Sequence, residues 1–385
     1  MRKKIINLHV YPSTLKNESR ILKETKSLID LNLVDEILIV GIWKEGFSIE
    51  EKIDSKRRIT RIKVPVITRI GILNFFINYF LFQILVIKKF RQSDFGLINC
   101  HSLSVLGIGY YFKIFRKTPL IYDAHELETE VEGSKGIKRL IGKFLEFIYI
   151  KKVDELIVVS NSIATWYKNK YPNLPISTVR NVPNYFELNT KSNLLRERFS
   201  IEDKQLVFIY QGLLSSSRGV DIILNTFIQL SIQYHIVFMG MGEMVDEIKL
   251  LEEKHKNIHF LPAVPPSEIH LYTSSADVGI HLIQNTCLNH YYCSPNKIFE
   301  YLLYGIPQII SNFPDMMKVL ENDKCGWGIE PNSQQLKTKI EDITLILVGE
   351  KKENVEQQRK NWGWHFEEME LEKVYKRIIP KIKMY

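Results

Sequence analysis

The sequence predicts an α/β protein built from two doubly wound, Rossmann-like domains facing a cleft. Three observations carry this expectation. The chain has 385 residues, more than one ordinary core accommodates. Short apolar runs of strand length alternate with helical patterns of roughly ten or more residues, the spacing of parallel sheets joined by crossover helices. The alternation breaks at a polar stretch from Pro183 to about Asp203 and then begins again. The expected domains are therefore 1–185 and 203–361, with that stretch as a linker.

Taken in order, Ile5–Val10 has strand character. Leu15–Leu31 spaces its apolar residues as a helix does and carries Glu18, Arg20, Lys23, Glu24 and Lys26. Strands follow at Ile37–Val40 and Ile59–Val64, then an apolar helix from Ile72. The run Gly71–Ile87, broken by Asn74, Asn78 and Gln83, is about 17 residues, the short limit for a spanning helix, and is expected to be buried or interfacial. Strand Gly96–Cys100 leads to a helix near Leu103–Phe115, and strand Leu120–Tyr122 runs into Asp123-Ala-His125-Glu126. A long helix reaches about Lys152, followed by strand Leu156–Val159, helix Ser162–Lys170 and strand Ile176–Val179. The second half reads strand Leu206–Tyr210, helix Val220–Leu230, strand His235–Met239, helix Met244–His255, strand Ile258–Leu261, helix Ser267–Ser274 and strand Val278–Ile283. A punctuated helix after Ser294, strand Gln308–Ile310, a short strand near Gly328 and further helices complete it.

Lys plus Arg total 52 against 44 acidic residues, a net charge of +8. That excess suits an anionic ligand or an anionic membrane surface and is too diffuse for nucleic acid. Cys100, Cys287, Cys293 and Cys325 show no Cys-x-x-Cys spacing, so neither a zinc site nor a disulfide framework is expected. Residues 1–10 run straight into a strand pattern without a signal-peptide segment, which points to the cytoplasm. No Asp-x-Asp pair, phosphate loop or Gly-x-Ser-x-Gly elbow occurs.

Ligands of open α/β sheets bind beyond the carboxyl ends of strands, so those positions matter most. The segment Ser294–Pro307 has Ser294 suited to the N-cap, Pro295 to the first helical position, and Gly305 with Pro307 as a stop. Ile298, Phe299, Leu302 and Leu303 would form its apolar face, and Lys297, Glu300, Tyr301 and Tyr304 the other. Lys297 opposes the positive end of the helix dipole, an arrangement that makes sense if an anion sits there. Arg218, in Tyr210-Gln-Gly212-Leu-Leu-Ser-Ser-Ser-Arg-Gly219, repeats that placement before the next helix, and Gly212 would let backbone approach a ligand. Gly240 and Gly242 are expected to make a tight strand-to-helix turn. His125, and less directly His101 and Asp123, end strands of the first half, where a histidine can bond a sugar hydroxyl or move a proton. Residues 135–152 are basic and amphipathic, with Ile137, Leu140, Ile141, Phe144 and Ile148 at helical spacing. They either pack on the core or dock on anionic lipid.

These motifs resemble those of family 4 retaining glycosyltransferases, which have the GT-B fold, and most of all the bacterial branch that builds O-antigen or capsular polysaccharide. Ser294–Pro307 is similar to the donor-site helix of that family. Asn17–Glu24 resembles its first helix, Tyr122–Leu127 its first-domain histidine motif, and Val159–Asn161 with Arg180–Asn184 its last two strand ends. The last helix, from Trp362 and Trp364 to Ile378, resembles the segment that returns to the first domain, so that 362–385 would pack there. The resemblance implies that Arg218 and Lys297 hold a diphosphate, Glu300 the ribose, and His125 the transferred sugar or acceptor. Catalytic roles would fall to His125, Arg218 and Lys297, and donor contacts to Gly212, Arg218, Asn296, Lys297 and Glu300. His101, Asp123 and Tyr292 would lie on the sugar or acceptor side. Tyr292 stands where the family usually has a second glutamate, Leu213 where an arginine is common, and Tyr11–Leu15 where a glycine-rich loop is usual.

The implied activity is a metal-free, cofactor-free transfer from a nucleotide-sugar such as a UDP-sugar to a polyprenyl-diphosphate-linked saccharide, at the inner face of the cytoplasmic membrane. A non-catalytic GT-B subunit that activates a partner, or a nucleotide-sugar epimerase, are the alternatives.

Overall fold

In a computed structural model the chain divides into two compact units, Met1–Arg180 with Glu367–Tyr385, and Asn181–Phe366. The structure describes residues 4–16, 18–65, 71–187 and 192–382, the side chains of 71–76 excepted.

The first unit holds β1 (Ile6–Val10), α1 (Ser19–Asp30), β2 (Glu36–Ile42), β3 (Glu50–Lys52), β4 (Arg57–Ile62), α2 (Gly71–Phe90), β5 (Leu97–Cys100) and α3 (Leu103–Arg116). It continues with β6 (Leu120–Ala124), α4 (Gly136–Tyr149), β7 (Glu155–Val158), α5 (Asn161–Lys170) and β8 (Ile176–Thr178). Its eight-stranded sheet has the order β3-β4-β2-β1-β5-β6-β7-β8. Every pairing in it is parallel except β3 with β4.

The second unit begins with α6 (Leu194–Phe199), β9 (Leu206–Leu213), α7 (Val220–Phe227), β10 (Tyr234–Met241), α8 (Val245–Glu252), β11 (Ile258–Pro262), α9 (Ile269–Thr273) and β12 (Val278–His281). Then come α10 (Leu288–Tyr291), α11 (Asn296–Leu303), β13 (Gln308–Ser311), α12 (Pro314–Val319), β14 (Gly326–Ile329), α13 (Ser333–Asp342) and α14 (Leu345–Gln358), while α15 (Trp364–Ile378) belongs to the first unit from Glu367 on. The sheet order is β11-β10-β9-β12-β13-β14, parallel throughout. Phe208, Tyr210, Phe238 and Ile280 pack into one core, while Val207, Ile209, Val237 and Met239 pack with Tyr301 into another. Both faces of each central strand are thus buried, which is why these strands read as continuous apolar runs.

Several local expectations change. The first helix begins at Ser19 rather than Leu15, because Leu15 sits at φ 61°, outside helical space; Asn17 lies outside the described residues. The supposed linker contains α6, whose Leu195 is fully buried, and the unit boundary falls at Arg180. Among the described residues no helix is long and apolar enough to cross a membrane.

The 135–152 segment inverts the usual amphipathic arrangement. Glu146 is the buried residue of α4, accepting from Tyr167 Oη at 2.6 Å and Lys170 Nζ at 3.3 Å. Leu140, at 65% exposure, and Phe144, at 63%, face outward with Ile137 and Phe147. Ile141 and Ile148 of the expected stripe are half-buried, while Ile137, Leu140 and Phe144 are left outside the core.

Candidate active site

In the second unit the carboxyl ends of β9 and β12 and the start of α11 converge. Lys297 is the second residue of α11. Its Nζ donates to Tyr210 Oη at 3.1 Å and stands 4.7 Å from the centre of that ring. Tyr210 in turn donates to the Leu213 carbonyl at 3.0 Å, which leaves its oxygen free to accept from Lys297. Gly212 is what lets the lysine pass: at φ 113°, a Cβ there would lie 2.5 Å from Lys297 Cε. The glycine expected to admit a ligand thus admits a side chain.

Arg218 ends a single 3-10 turn (Ser216–Arg218) before α7, followed by Gly219 at φ 72°. A Cβ on Gly219 would meet the Leu282 carbonyl oxygen at 2.2 Å, so only glycine lets this turn close on the end of β12. Burial, then the charge of Arg218, pushes the Lys297 ammonium down to about 8, against the pull of Glu300. No carboxylate lies within salt-bridge distance of either cation among the described residues.

The start of α11 differs from expectation. Pro295, not Ser294, is the N-cap, and no side chain caps the helix, because Pro295 has already taken the extended conformation at the boundary. The first-turn N–H groups of Asn296 and Lys297 therefore keep their donors for something else. Its other end closes as a Schellman motif, with Gly305 at φ 78°, Gly305 N–H on the Leu302 carbonyl and Ile306 N–H on the Tyr301 carbonyl.

Tyr301 and Tyr304, expected on the polar face, are buried. Tyr301 lies against Gly279, where a Cβ would come within 2.6 Å of its ring, and its hydroxyl donates to the Ile280 carbonyl at 3.2 Å. That plug fixes the height of α11 over the sheet. Glu300, next to it, accepts from Gln211 Nε2, while Gln211 Oε1 accepts from Thr273 Oγ1. The carboxylate is held by a two-link polar chain. Asn296 is exposed at the first helical position, and Tyr292, half-buried, follows α10.

The first unit gathers a different set. Asp123 on β6 receives Arg20 from α1, with Nη2 on Oδ1 at 2.7 Å and Nε on Oδ2 at 3.1 Å. His101 Nδ1 reaches Asp123 Oδ2 at 2.8 Å, and His125 Nε2 reaches the same oxygen at 3.1 Å. Behind them His9 Nδ1 is 2.8 Å from His101 Nε2, and Asn7 Nδ2 is 2.9 Å from His9 Nε2. One proton assignment satisfies the row: Asn7 donates to His9, His9 Nδ1–H to His101, and both His101 Nδ1–H and His125 Nε2–H to Asp123. His125 is left with Nδ1 as an acceptor. Burial holds His9 and His101 below the usual histidine range, while Arg20 and the two histidines keep Asp123 well below the usual carboxylate range. The ligand-type atoms of His101, Asp123 and His125 lie within 4.8 Å of one another, so the set could hold a metal ion, although here those atoms bond each other.

The structure thus unites Gly212, Arg218, Lys297 and Glu300 in one unit and His101, Asp123 and His125 in the other. Sequence reasoning missed Gln211, Thr273, His9 and the burial of Arg20. Gln211 stood beside a strand-ending glycine, and His9 was a polar residue inside an apolar strand; both signals were present.

Comparison with known proteins follows this division. The family model described as glycosyl transferases group 1 matches residues 191–362, and that described as glycosyltransferase family 4 matches residues 44–188. A comparison with curated protein sequences finds no match. Sucrose-phosphate synthase from Thermosynechococcus elongatus is similar over 98% of this chain and 100% of its own, at TM-score 0.76 and 12% identity. Anabaena HepE in complex with UDP and glucose is similar over 97% and 100%, at 0.70 and 15%. WaaG, a glycosyltransferase involved in lipopolysaccharide biosynthesis, is similar over 97% and 99%, at 0.68 and 13%. At these identities the structures speak for the fold alone, and the two matching domains speak for the chemistry. One domain on each sheet makes the chain a glycosyltransferase of the GT-B type, a family 4 domain followed by a group 1 domain.

Proposed function

We propose a retaining, metal-independent transferase that moves a hexose or N-acetylhexosamine from a nucleoside-diphosphate donor such as a UDP-sugar. The acceptor is a polyprenyl-diphosphate-linked saccharide of surface polysaccharide synthesis, O-antigen or capsule, reached at the inner face of the cytoplasmic membrane. One observation carries the donor half: Arg218 and Lys297 are held together without a carboxylate partner, beside the uncapped start of α11. Two cations that oppose each other's charge are stabilised when an anion joins them.

As the bond from the anomeric carbon to the diphosphate breaks, negative charge grows on the leaving oxygens. Arg218, Lys297 and the Asn296 and Lys297 N–H groups are already in place to receive it, which lowers the barrier without reorganisation and without a metal ion. Glu300, fixed by Gln211, accepts from the ribose hydroxyls. His125, with Nδ1 open, serves the sugar or the acceptor hydroxyl, and Asp123, His101 and Tyr292 stand on that side. HepE, which has been captured with UDP and with UDP-glucose, makes a uridine nucleotide the first donor to try.

The acceptor half rests on α4. Its outward Ile137, Leu140, Phe144 and Phe147 adjoin Lys135, Lys138 and Lys151, and Phe115 of α3 is 71% exposed. An apolar stripe rimmed by lysines fits an anionic lipid surface, each lysine adding roughly 1 kcal/mol.

Purified protein given a panel of nucleotide sugars should release nucleoside diphosphate from at least one. Lys297→Ala and Arg218→Ala should each lower turnover about 10²–10³-fold with the fold retained. Near-normal kinetics in both variants would overturn the donor site. Tight donor binding with no turnover would favour a non-catalytic subunit, and a new sugar without acceptor would mark an epimerase.

A further inference from the structure

His281 is the last residue of β12, in register with Ile310 of β13, and 1% exposed. Neither of its ring nitrogens has a hydrogen-bond partner. The other buried histidines do better: His9 and His101 bond each other, His235 bonds His259, and His290 bonds Thr286. A buried imidazole has one donor and one acceptor to satisfy in its neutral form, and leaving both unmade is rare in native structures.

What surrounds it is the proposed diphosphate set. Its ring centre is 6.5 Å from that of Tyr210, the residue whose hydroxyl accepts from Lys297. The next residue, Leu282, is the one against which Gly219, and hence the Arg218 turn, closes. Lys297 on α11 and Arg218 before α7 are the charges that act on it, and with burial they hold the imidazole well below the usual histidine range. Tyr210 on β9 is kept protonated by burial, Cys293 is pushed up to about 12, and Glu300 on α11 acts on Lys297.

We propose that His281 is a third anion-binding group of this pocket, donating a ring N–H to a phosphate oxygen held by Arg218 and Lys297. The proposal rests on the donor reading above and adds a consequence to it. With the anion bound, the two cations no longer repel a positive imidazole unopposed, but burial, the largest cause of its low value, stays, so His281 donates as a neutral imidazole. Lys297 takes up a proton on binding, chiefly above pH 8, since near pH 7 it is already mostly charged. The terminal phosphate of a nucleoside diphosphate, ionising near pH ~6, would release a proton instead.

The test is calorimetric titration of the full-length protein with UDP, GDP, CDP and ADP at pH 7 and pH 9, each in two buffers of different ionisation enthalpy. Wild type should take up protons at pH 9, on Lys297, with the nucleotide it binds. His281→Gln and His281→Phe, checked for native melting, should bind that nucleotide at least tenfold more weakly at both pH values while keeping the pH 9 uptake. Binding within twofold of wild type would make His281 a core residue and overturn the proposal. Should both variants unfold, the histidine ring-nitrogen NMR spectrum of wild type decides: a ring N–H that gains a hydrogen bond on nucleotide binding supports the proposal, and an unchanged spectrum overturns it. If wild type binds none of the four nucleotides, the donor reading itself falls, a result distinct from the loss of His281's role alone.

Discussion

Lys297 carries a charge that its surroundings oppose. Burial and Arg218 bring it down to about 8, so the folded chain binds its proton less readily than the unfolded chain. The sign follows: the charged lysine costs stability below about pH 8, and that cost fades as pH rises toward the free-lysine range near ~10.4. A protein keeps such a strained cation when function uses it. If the ammonium holds the donor diphosphate as proposed, kcat/KM should fall as pH rises through about 8, in the free enzyme. Lys297→Arg, which stays charged, should lose that alkaline limb whatever its absolute rate. A limb unchanged in this variant would assign the titration to another group. Gly212 belongs to the same residue-scale device, since the lysine occupies the space a side chain there would fill.

Elements set which of these residues meet. α11 is positioned by Tyr301 over Gly279 and closed by Gly305, so its uncapped start is a consequence of where its middle and end are fastened. α4 is fastened the other way, through Glu146 to Tyr167 and Lys170, with its apolar residues outward. Arg139 and Lys143 spend their charge on Glu130, and Lys151 lies over the Phe147 ring at 3.7 Å, so on the proposed lipid reading Lys135 and Lys151 would rim the stripe. Leu140→Ser with Phe144→Ser should reduce flotation with vesicles containing phosphatidylglycerol at least fivefold. Stability should stay within about ±0.5 kcal/mol per site, as for exposed positions generally. Unchanged flotation would leave α4 without a lipid role. The helical period of 135–152 was legible in the sequence, but its orientation was not, because period fixes a stripe and not the side that meets the core.

At the scale of the molecule, each unit completes its own sheet, and the C-terminal helix finishes the first. The unit boundary falls inside α15, and Tyr375 from its last turns receives Asn7 Nδ2 at 2.8 Å and donates to Asn99 Oδ1 at 3.1 Å, all three buried. Asn7 also anchors the histidine row that ends at His125. Tyr375→Phe leaves two buried amides short of a partner and should cost about 1–3 kcal/mol, read as a lower urea midpoint for the first unit. Since the row would lose one of its fixed ends, His125-dependent steps should slow as well. An unchanged midpoint would show that water replaces the hydroxyl.

The alternation of strand and helix, the parallel sheets and the two cations ahead of helices were written in the sequence, because side-chain period and cap chemistry are local properties. Arg218 and Lys297 stood out there for being misplaced against a dipole. What the sequence left undetermined was every pairing made between a strand end and a helix: Asp123 with Arg20, Gln211 with Glu300, Gly212 beneath Lys297, and His281 left without a partner. Those depend on which strand ends lie side by side, and that is settled only when the sheet order forms, over separations of tens to hundreds of residues.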